Sequence, residues 1–479
     1  MSEADARPKA VSLFSGGGGL DLGLEEAGFS VVFATDWEPR ACDTLTLNQQ
    51  IGRGDDRWFE GFMRELTGQH SVRRWSGQQF DELRGRVLRG LGTHAYLDEA
   101  VIRRCDVRAL PASDITEVCG VRRGDVEVVA GGPPCQSFSR SGQRGSVDDE
   151  RGQLFMEFVR IVRDLRPRWF LFENVKGLIL TKTNTWRMRC GDCGSVCYPP
   201  FDPDRAQPEH NAMAERCADC GSQRTRWQVS HRKAGGALDL IVAEFERIGY
   251  RCHVATLDAA SFGAPQYRER LFIVGSRDGE AFAFPSPTHG GNAGATLPLF
   301  PELGVLSRAP TVWDTVFHDG RSPYHGDVDP SVAVLWLKNV VRPHDEPVTW
   351  TLMRPSPTIG AHQSAKLAVA PFGVPKEQLL RQQWHVLGRR QGDTPPVAVQ
   401  HTYLSDEDLL RLQTFPAWWF VAGTRMERAF QIGNAVPPVL AKAIGNAILA
   451  AGRDVAIADG KSLRQAGHAV SQSQALVKV

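Results

Sequence analysis

The sequence predicts an α/β protein with a doubly wound, mostly parallel sheet, a smaller irregular domain and a cysteine-rich insertion. Strand-like runs alternate with helical patterns along most of the chain. A run of four glycines follows the first strand, and Asp36 follows the second. Because alternating strands and helices form parallel sheets with helices on both faces, we expect the chemistry at the carboxyl ends of the strands.

The core elements appear in a regular order. The first strand is predicted at residues 9–14, a glycine turn at 15–19, and a helix at 20–27 that Gly28 ends. The second strand, 30–35, leads into Asp36 and Trp37. Further strands are predicted at 126–130, 169–173, 252–257 and 271–275, and helices at 154–165, 238–248, 406–413 and 426–450.

Three stretches interrupt this alternation, and we interpret them as insertions on the core. Residues 51–104 are rich in Arg and Gly, residues 181–233 carry paired cysteines, and residues from 285 to about 400 are rich in Pro and His. Length allows this, because 479 residues suffice for roughly two to four domains.

Composition sets few limits on function. The chain has 56 Lys and Arg against 55 Asp and Glu, a formal charge of +1, so any surface that attracts nucleic acid must be local. The first apolar stretch, 11–14, runs directly into glycines. We therefore expect no signal peptide, no membrane contact and a cytoplasmic protein. Its ten cysteines are then expected to be free, metal-bound or catalytic.

The glycine turn and Asp36 suggest a nucleotide-like ligand. Glycines let a ligand approach the main chain at the positive end of a helix. Asp36 lies at the spacing at which a carboxylate holds ribose hydroxyls, and Trp37 could stack on an adenine. Alternatively, Asp36 caps the helix that begins near Glu38 and Trp37 lies in the core. Asp106, which follows a further candidate strand region, is a second candidate adenine contact, with a turn residue as the alternative.

Cys135 is the candidate nucleophile. It lies in the segment 131–139, GGPPCQSFS, on a loop at the carboxyl end of a predicted parallel strand. Two prolines restrict the backbone directly before Cys135, and the residues after it are polar. This setting favours a reactive thiol if something lowers the pKa of the thiol. A packing role is the alternative.

Acidic and basic side chains are expected to converge on Cys135. Glu173 closes the next strand and is a candidate proton donor. In the segment 266–270, QYRER, alternation places Gln266, Arg268 and Arg270 on one face. These arginines could favour a thiolate and hold a base oxygen or a phosphate, or they could form an ion-paired strand edge.

In this order, the motifs resemble those of the DNA cytosine-5 methyltransferase family, from residue 11 to about residue 450 without the insertions. Segment 14–19, FSGGGG, resembles the family's S-adenosylmethionine motif, Asp36-Trp37 its ribose and adenine pair, and Pro134-Cys135-Gln136 its nucleophile loop. Glu173-Asn174-Val175 resembles its acid motif and 266–270 its Gln-x-Arg-x-Arg motif. Segment 411–416, RLQTFP, resembles the motif that supports the recognition domain, and 433–436, GNAV, the last motif, which returns a helix beside the first strand.

The resemblance implies methyl transfer from S-adenosylmethionine to carbon 5 of a cytosine flipped out of duplex DNA. Cys135 would add to carbon 6, Glu173 would contact ring nitrogen 3 and Arg270 would hold the base carbonyl oxygen, with Arg268 as a further catalytic residue. The loop 136–153, which contains Gly142, Arg144 and Gly145, resembles the mobile loop that closes on the base. The expected cofactor-binding residues are Phe14, Ser15, Gly16, Gly17, Gly18, Gly19, Leu20, Asp36, Trp37, Asp106, Pro134, Asn434 and Val436.

Two Cys-x-x-Cys pairs have the spacing of a four-thiolate zinc ribbon. The predicted ligands of a structural Zn²⁺ are Cys190, Cys193, Cys217 and Cys220, and Gly194 and Gly221 follow the pairs. Cys197 could replace one ligand, and four unconnected thiols are the alternative. The insertion departs just after the Glu173 motif, so we expect it near the DNA side of the cleft. Basic and aromatic residues around it suggest a DNA contact, with a structural or protein-binding role as the alternative: Lys182, Trp186, Arg187, Arg189, Arg224, Arg226, Trp227, Arg232 and Lys233.

The resemblance also assigns the domains. The catalytic domain takes residues 1–180, 234–284 and 405–455, the zinc-ribbon-like insertion 181–233, the target-recognition domain 285–404, and a flexible tail 456–479. Segments at 285–290 and 354–359 resemble family sequences that border the recognition domain. Polar side chains in it could read base edges or be solvated, so no target sequence follows: Arg381, Gln382, Arg389, Arg390 and Gln391.

Two other functions stay open at this point. A relative of the family methylates transfer RNA with the same core, and a non-catalytic DNA-binding subunit would keep the fold without the chemistry. The long recognition segment argues against the first, and the combination of Cys135, Glu173, Arg268 and Arg270 argues against the second. A restriction-modification or phage-defence role, with cognate restriction or defence proteins as partners, is expected for the main interpretation.

Overall fold

The motifs all lie on, or directly after, strands of one central sheet. The computed structural model describes residues 7–68, 77–134, 154–180, 184–197, 216–217, 220–231, 236–290, 306–317, 334–341, 347–360, 367–370 and 402–458. In chain order, the strands are β1 Lys9–Leu13, β2 Ser30–Asp36, β3 Val101–Arg104, β4 Val128–Gly131, β5 Trp169–Val175, β6 Asn184–Cys190, β7 Val196–Cys197, β8 Thr225–His231, β9 Arg251–Asp258, β10 Glu269–Ser276, β11 His289–Gly290, β12 Ser307–Arg308, β13 Val334–Val341, β14 Pro347–Thr351, β15 Leu367–Ala370 and β16 Thr402–Tyr403. The helices are α1 Gly19–Ala27, α2 Pro39–Arg53, α3 Asp56–Gly68, α4 Gly77–Gly90, α5 Ala112–Cys119, α6 Leu154–Leu165, α7 Gly236–Arg247, α8 Asp406–Leu412, α9 Arg425–Asn434 and α10 Pro438–Ala458.

Within these ranges the central sheet has seven strands in the order β3-β2-β1-β4-β5-β10-β9. Strand β1 pairs in parallel with both β2 and β4, so the chain winds outward in two directions from this point. Strand β10 runs antiparallel to β5 and β9, and the sheet is therefore mostly parallel. The predicted fold class is confirmed, and the carboxyl ends of β1 and β4 form the switch point where such sheets bind ligands.

Alternate residues of the strands pack into two hydrophobic layers. Ala10 and Val128 belong to the layer that includes residues of α1 and α10, whereas Val11 and Val129 belong to the layer of α5, α6 and α7. A strand buried on both faces cannot slip by one residue without exchanging the two layers. This packing fixes where each strand ends, and hence where each motif begins.

The C-terminal helices lie against α1, the helix that follows the first strand. A Cβ atom at Gly23 of α1 would lie 2.3 Å from the Ala441 Cβ of α10, so the two helices are in close contact. The helix predicted at 426–450 is two helices, α9 and α10, because Pro437 and Pro438 lack the N–H groups that would continue one helix. Helix α10 also extends into the segment predicted as a tail.

Residues 425–452, which span α9 and most of α10, are long and apolar enough in composition to cross a membrane. They are interrupted between the two helices, and half of the most apolar window is buried within the protein. Buried residues of α10, Leu440 and Ile444 among them, belong to the hydrophobic core. In the described part of the chain this segment is therefore a core element.

The segment predicted as an insertion at 51–104 contributes to the core at both ends. Its first residues complete α2, and its last four form β3, which pairs with β2 at the edge of the central sheet. Helices α3 and α4 lie outside the sheet and contribute Phe59 and Val87 to a small hydrophobic cluster with Ile51 of α2. Strand β3 is the candidate strand region expected before Asp106; it is short, and its last two residues, Arg103 and Arg104, are exposed.

The two later insertions form small sheets of their own. Strands β7, β6 and β8 form an antiparallel three-stranded sheet that carries the paired cysteines. Strands β14, β13, β15 and β16 form an antiparallel four-stranded sheet within the segment predicted as the recognition domain.

Candidate active site

Three motif segments meet at the carboxyl edge of the central sheet. In the strand register, Leu13 at the end of β1 lies opposite Gly131 at the end of β4, and Gly131 lies opposite Phe172 of β5. The glycine turn therefore leaves the sheet beside residues 132–134, and Glu173 is the next residue on β5. The expected cofactor and reaction segments lie side by side.

Glu173 forms a buried ion pair with Arg270. The Arg270 Nε lies 3.1 Å from Glu173 Oε1, and each side chain is 12% exposed. Burial raises the pKa of Glu173, whereas the charges of Arg270 and Arg268 oppose this shift. The carboxylate also lies against Gly132, where a Cβ atom would approach Glu173 Oε2 to 2.6 Å. A side chain at position 132 would displace the acid, so glycine there lets the acid lie beside the segment that leads to residue 135.

Asn174 holds that segment in place. Its Nδ2 donates a hydrogen bond to Pro133 O at 3.1 Å, and the residue is buried. Pro134, an expected cofactor contact, is exposed directly after it. Cys135 and the loop 136–153 lie outside the described residues. The sequence motif included Asn174 without giving it a role, although an amide directly after a buried acid was an available signal.

Arg268 is fully buried and binds main-chain carbonyls from two distant segments. Its guanidinium donates to Ile359 O at 3.0 Å and to Gly433 O at 2.8 Å. Burial lowers the pKa of Arg268, as does the charge of Arg270, whereas Glu173 opposes this shift. Arg268 therefore lies within the electrostatic reach of the acid while it connects β10 to the end of α9.

Gln266 completes this connection. Its Oε1 accepts from Ile359 N at 2.8 Å, and residue 266 forms a parallel bridge with Ser356. The segment 354–359, which resembled a border of the recognition domain, therefore contacts the Gln-x-Arg-x-Arg motif directly. This contact places residues 354–359, at the border of the predicted recognition domain, beside the segment that carries Arg268 and Arg270.

The glycine turn has the tight geometry expected for a ligand-binding loop. Phe14 has a φ of 56°, a left-handed conformation that is strained for a bulky residue, and Gly18 N donates to Ser15 O at 2.9 Å. The turn also contacts the C-terminal motif, since a Cβ atom at Gly19 would lie 2.1 Å from Val436 O. Leu20 is buried in the core and Asn434 is exposed.

Asp36 connects the glycine turn to the second strand. Its Oδ2 accepts from Gly16 N at 2.8 Å and its Oδ1 accepts from Glu38 N at 2.8 Å. Burial raises the pKa of Asp36, and the two N–H donors oppose this shift. Trp37 is 64% exposed, so the interpretation that it is a core residue is wrong.

Asp106 forms contacts typical of a turn residue. It accepts from Arg108 N at 3.0 Å and forms an ion pair with the Arg108 guanidinium at 2.6 Å. The hydrogen bonds from Arg108 lower the pKa of Asp106. An adenine contact for this residue stays a prediction.

Asp21 is a buried acid that belongs to none of the sequence motifs. It lies in the first turn of α1, wholly buried, and accepts a hydrogen bond from Ser12 Oγ. Ser12 Oγ lies 2.9 Å from Ser15 Oγ in the glycine turn. Burial raises the pKa of Asp21 to about 7. Among the described residues, Asp21 Oδ2 and Tyr96 OH are buried without a hydrogen-bond partner. An acid between Leu20 and Leu22 in an apolar helix was the available signal.

The four paired cysteines lie together at one end of the small three-stranded sheet. Their sulfur atoms all lie within 4.8 Å of one another, with Cys190 3.6 Å from Cys220 and Cys193 3.6 Å from Cys217. The two pairs have the same local geometry. Gly194 and Gly221 both have a φ of 73°, and the sulfurs of Cys193 and Cys220 accept main-chain hydrogen bonds from Ser195 and Ser222.

Several predicted contact residues lie outside the described part of the chain. These are Lys182, Arg232 and Lys233 beside the cysteines, and Arg381, Gln382, Arg389, Arg390 and Gln391 in the recognition segment.

Comparison with known proteins agrees with this geometry. A family model for C-5 cytosine-specific DNA methylases matches residues 9–64, 104–192, 228–316 and 350–450. The Type II methyltransferase M.AquIA of Picosynechococcus is 32% identical over 293 residues, which cover 61% of this chain and 82% of that protein. The Type II methyltransferase M1.HphI of Haemophilus parahaemolyticus is 26% identical over 454 residues, which cover 92% of this chain and 86% of that protein.

The fold also has a solved counterpart. The crystal structure of the S. pombe Dnmt2 methyltransferase aligns with a TM-score of 0.50 at 14% sequence identity, covering 94% of this chain and 99% of that one. At that identity the likeness concerns the fold alone.

Proposed function

The chain belongs to the C-5 cytosine-specific DNA methylase family and is a DNA cytosine-5 methyltransferase, and on that premise we propose that it acts through a covalent adduct of Cys135. The observation that carries this proposal is the position of the Glu173–Arg270 pair against Gly132. Asn174 fixes Pro133 at the same place. A flipped cytosine that meets the acid therefore also meets the segment that ends in Cys135.

The proposed reaction begins when the Cys135 thiolate forms a bond to carbon 6 of the cytosine. Glu173, in its protonated form, donates to ring nitrogen 3 and neutralises the charge that develops in the ring. Carbon 5 would then form its bond to the methyl group of S-adenosylmethionine while the bond between that methyl group and the sulfonium sulfur breaks, with S-adenosylhomocysteine as the leaving group. The carbon 5 proton leaves to solvent, nitrogen 3 returns its proton to Glu173, and the bond between carbon 6 and sulfur breaks, which regenerates Cys135.

Arg270 and Arg268 have different roles in this proposal. Arg270 lies at the acid, is partly accessible, and would hold the base carbonyl oxygen. Arg268 is enclosed and binds two main-chain carbonyls, so it acts as a positioning residue that keeps β10 and Arg270 in register. The positive charge of both arginines also favours the thiolate form of a nearby cysteine.

The residues around the glycine turn fit S-adenosylmethionine, which supplies an electrophilic methyl group. Trp37 presents an exposed aromatic face directly after Asp36. The Asp36 carboxylate accepts from the N–H groups of Gly16, Glu38 and Trp37, and since a carboxylate has about four lone-pair sites, it can still accept from a ribose hydroxyl. We propose that Asp36 binds the ribose and Trp37 stacks on the adenine, with the main chain of residues 14–19 around the methionine part.

We also propose that the four-cysteine cluster binds a structural Zn²⁺. Tetrahedral coordination with a Zn–S distance of about 2.3 Å requires sulfur atoms roughly 3.8 Å apart. The observed 3.6 Å separations are close to that distance. Metal analysis of the purified protein should find one zinc per chain, which Cys193→Ser should lose and Cys119→Ser, on α5, should retain. Zinc-free protein with an unchanged melting profile would contradict the assignment.

The substrate we propose is duplex DNA with a specific target sequence, from which one cytosine is flipped out at a cost of a few kcal/mol. Since the relatives above are Type II methyltransferases, we propose a restriction-modification or related defence role in a bacterial cytoplasm. A cognate endonuclease is the partner this role requires.

Covalent trapping tests the central proposal. A duplex with fluorine in place of hydrogen at carbon 5 of cytosine cannot lose a proton there, so the adduct should persist in the presence of S-adenosylmethionine. The wild-type chain and Cys119→Ala should remain attached to the DNA through denaturing electrophoresis, whereas Cys135→Ala should not. The proposal would be contradicted if Cys135→Ala also remained attached to the fluorinated DNA, or if the wild-type chain did not methylate ordinary DNA.

A further inference from the structure

A buried carboxyl group lies beside the glycine turn. Asp21 of α1 is wholly buried and accepts a hydrogen bond from Ser12 Oγ, which lies 2.9 Å from Ser15 Oγ. Ser15 is the first residue of the turn, which surrounds the methionine part of S-adenosylmethionine in the proposed function. The other carboxyl oxygen, Asp21 Oδ2, has no hydrogen-bond partner within the described ranges. Two hydroxyl groups therefore connect the acid to the cofactor-binding turn.

Large buried side chains pack against the glycine turn near Asp21. A Cβ atom at Gly18 would lie 2.7 Å from Tyr96 OH and 2.8 Å from Trp419 Cζ2. Burial raises the pKa of Tyr96, and the nearby charge of Asp21 adds to this shift. Charges that face one another across a region with little water are weakly screened. A charge on Asp21 therefore acts on a ligand at the other side of the turn.

Burial and hydrogen bonding act in opposite directions on this acid. Burial raises the pKa of Asp21 to about 7, whereas the hydrogen bonds from Ser12 and Ser15 lower it. Two acids that face Asp21 add to the upward shift, Glu25 on α1 and Asp36 at the end of β2. The carboxylic acid and the carboxylate are therefore close in free energy at neutral pH.

The cations on the elements around α1 are engaged by other acids. Arg7, directly before β1, pairs with Glu25 at 3.0 Å. Lys442 of α10, the helix that packs against α1, pairs with Glu26 at 3.3 Å. A positive charge that a ligand brings to the glycine turn would therefore shift the ionisation of Asp21.

Resting on the proposed function, we propose that Asp21 releases a proton when S-adenosylmethionine binds and so distinguishes the cationic methyl donor from the product. The sulfonium of S-adenosylmethionine carries a positive charge that favours the Asp21 carboxylate. S-adenosylhomocysteine has an uncharged thioether at the same place and otherwise differs only by the lost methyl group. Methyl transfer removes the charge, so Asp21 regains a proton from solvent and the product is bound less tightly. Asp21 touches neither ligand and acts across the turn.

Calorimetric titration of the full chain in buffers of different ionisation enthalpy counts the protons released. A nearby opposite charge lowers the pKa of an acid by about 1 to 3. With the lower figure, S-adenosylmethionine should release roughly 0.4 proton more than S-adenosylhomocysteine at about pH 7. The ratio of the two affinities should also rise about fivefold in favour of S-adenosylmethionine between roughly pH 5.5 and pH 7.5. Groups that contact the shared parts of the ligands, Asp36 among them, cancel in this ratio.

Asp21→Asn removes the titrating group and keeps an oxygen that can accept from Ser12. Proton release should then be equal for the two ligands, apart from the titration of the ligands themselves, which the variant measures. Glu26→Gln, which removes an exposed acid from the same helix, is the matched control and should keep the wild-type difference. A purely structural role of Asp21 would weaken both ligands by the same factor at every pH.

Equal proton release for the two ligands in the wild type would overturn the inference, and this measurement needs no variant to fold. A wild-type difference that persisted in Asp21→Asn would also overturn it. If the wild type bound neither ligand, the proposed function itself would fail, so the two failures are distinguishable.

Discussion

Arg270 Nε lies 3.1 Å from Glu173 Oε1, with both side chains largely withdrawn from water. The arginine counteracts the effect of burial, which raises the pKa of the acid. Glu173 can therefore hold a proton more readily than an exposed glutamate while it stays in contact with a fixed positive charge. This is the arrangement that a proton donor to a ring nitrogen requires.

Glu173→Gln should lower kcat by about a hundredfold to ten-thousandfold, the usual contribution of a positioned acid. In the wild type, the protonated form disappears as pH rises through the raised pKa of Glu173, so kcat should fall on that side of the profile. The variant should lose this limb. The control is Glu269→Gln, which removes an exposed acid that lies next to Arg270 on β10 and pairs with Lys176. A similar loss of kcat in both variants would contradict the role of Glu173.

Asn174→Ala should reduce kcat by roughly tenfold to a hundredfold, because the segment before Cys135 loses its hydrogen bond at Pro133 O and small misplacements of a nucleophile cost that much. The affinity for S-adenosylmethionine should change much less than kcat, since the glycine turn, Asp36 and Trp37 lie on other strands and only Pro134 adjoins the released segment. Single-turnover methylation and equilibrium cofactor binding measure the two effects. A variant that loses cofactor affinity and kcat equally would indicate general disruption instead.

Trp37→Ala should weaken S-adenosylmethionine binding by about tenfold or more, the value of one aromatic stacking contact with a base. Because Trp37 is 64% exposed, its removal should leave the melting temperature unchanged. Calorimetric titration measures the affinity for S-adenosylmethionine, and a melting curve measures the stability of the variant. Unchanged cofactor affinity would remove Trp37 from the site.

Asp21→Asn should change how stability depends on pH. Burial raises the pKa of Asp21 from its ordinary 3.8 to about 7, so the folded chain binds more protons than the unfolded chain between those values. Wild-type stability should therefore fall as pH rises from about 4 to above 7, because the buried carboxylate must then ionise. The amide cannot ionise, and the variant should be more stable than the wild type at pH above 7.

Urea unfolding at several pH values measures this difference. Glu26→Gln, an exposed position on the same helix that pairs with Lys442, is the control. Equal pH dependence in Asp21→Asn and the wild type would show that Asp21 carries no such proton.

Local patterns were enough for the sheet and for most motif positions. The strands that predicted the fold are apolar runs bounded by turn residues, and the order of their motifs gave the family. The paired cysteines were equally recognisable in the sequence, since two ligands at fixed spacing are a local feature. The candidate strand before Asp106 could be given no bounds, because the four residues of β3, two of them exposed arginines, have little pattern of their own and depend on β2 for pairing.

The candidate site was only partly predictable. Sequence could not decide whether Trp37 is buried, because exposure depends on which distant segments cover it. It also gave no reason to single out Asp21, whose environment is assembled from β1, the glycine turn and the loop that carries Tyr96.

The sequence by itself determined the fold class, and it predicted the acid, both arginines and the two cysteine pairs as site residues. Only the tertiary structure decided which arginine meets Glu173. Alternation placed Arg268 and Arg270 on one face, yet Arg268 binds carbonyls 91 and 165 residues away in the chain, and Arg270 pairs with the acid. The physical reason is that a buried guanidinium must find acceptors, and those acceptors come from segments that only the folded chain brings together.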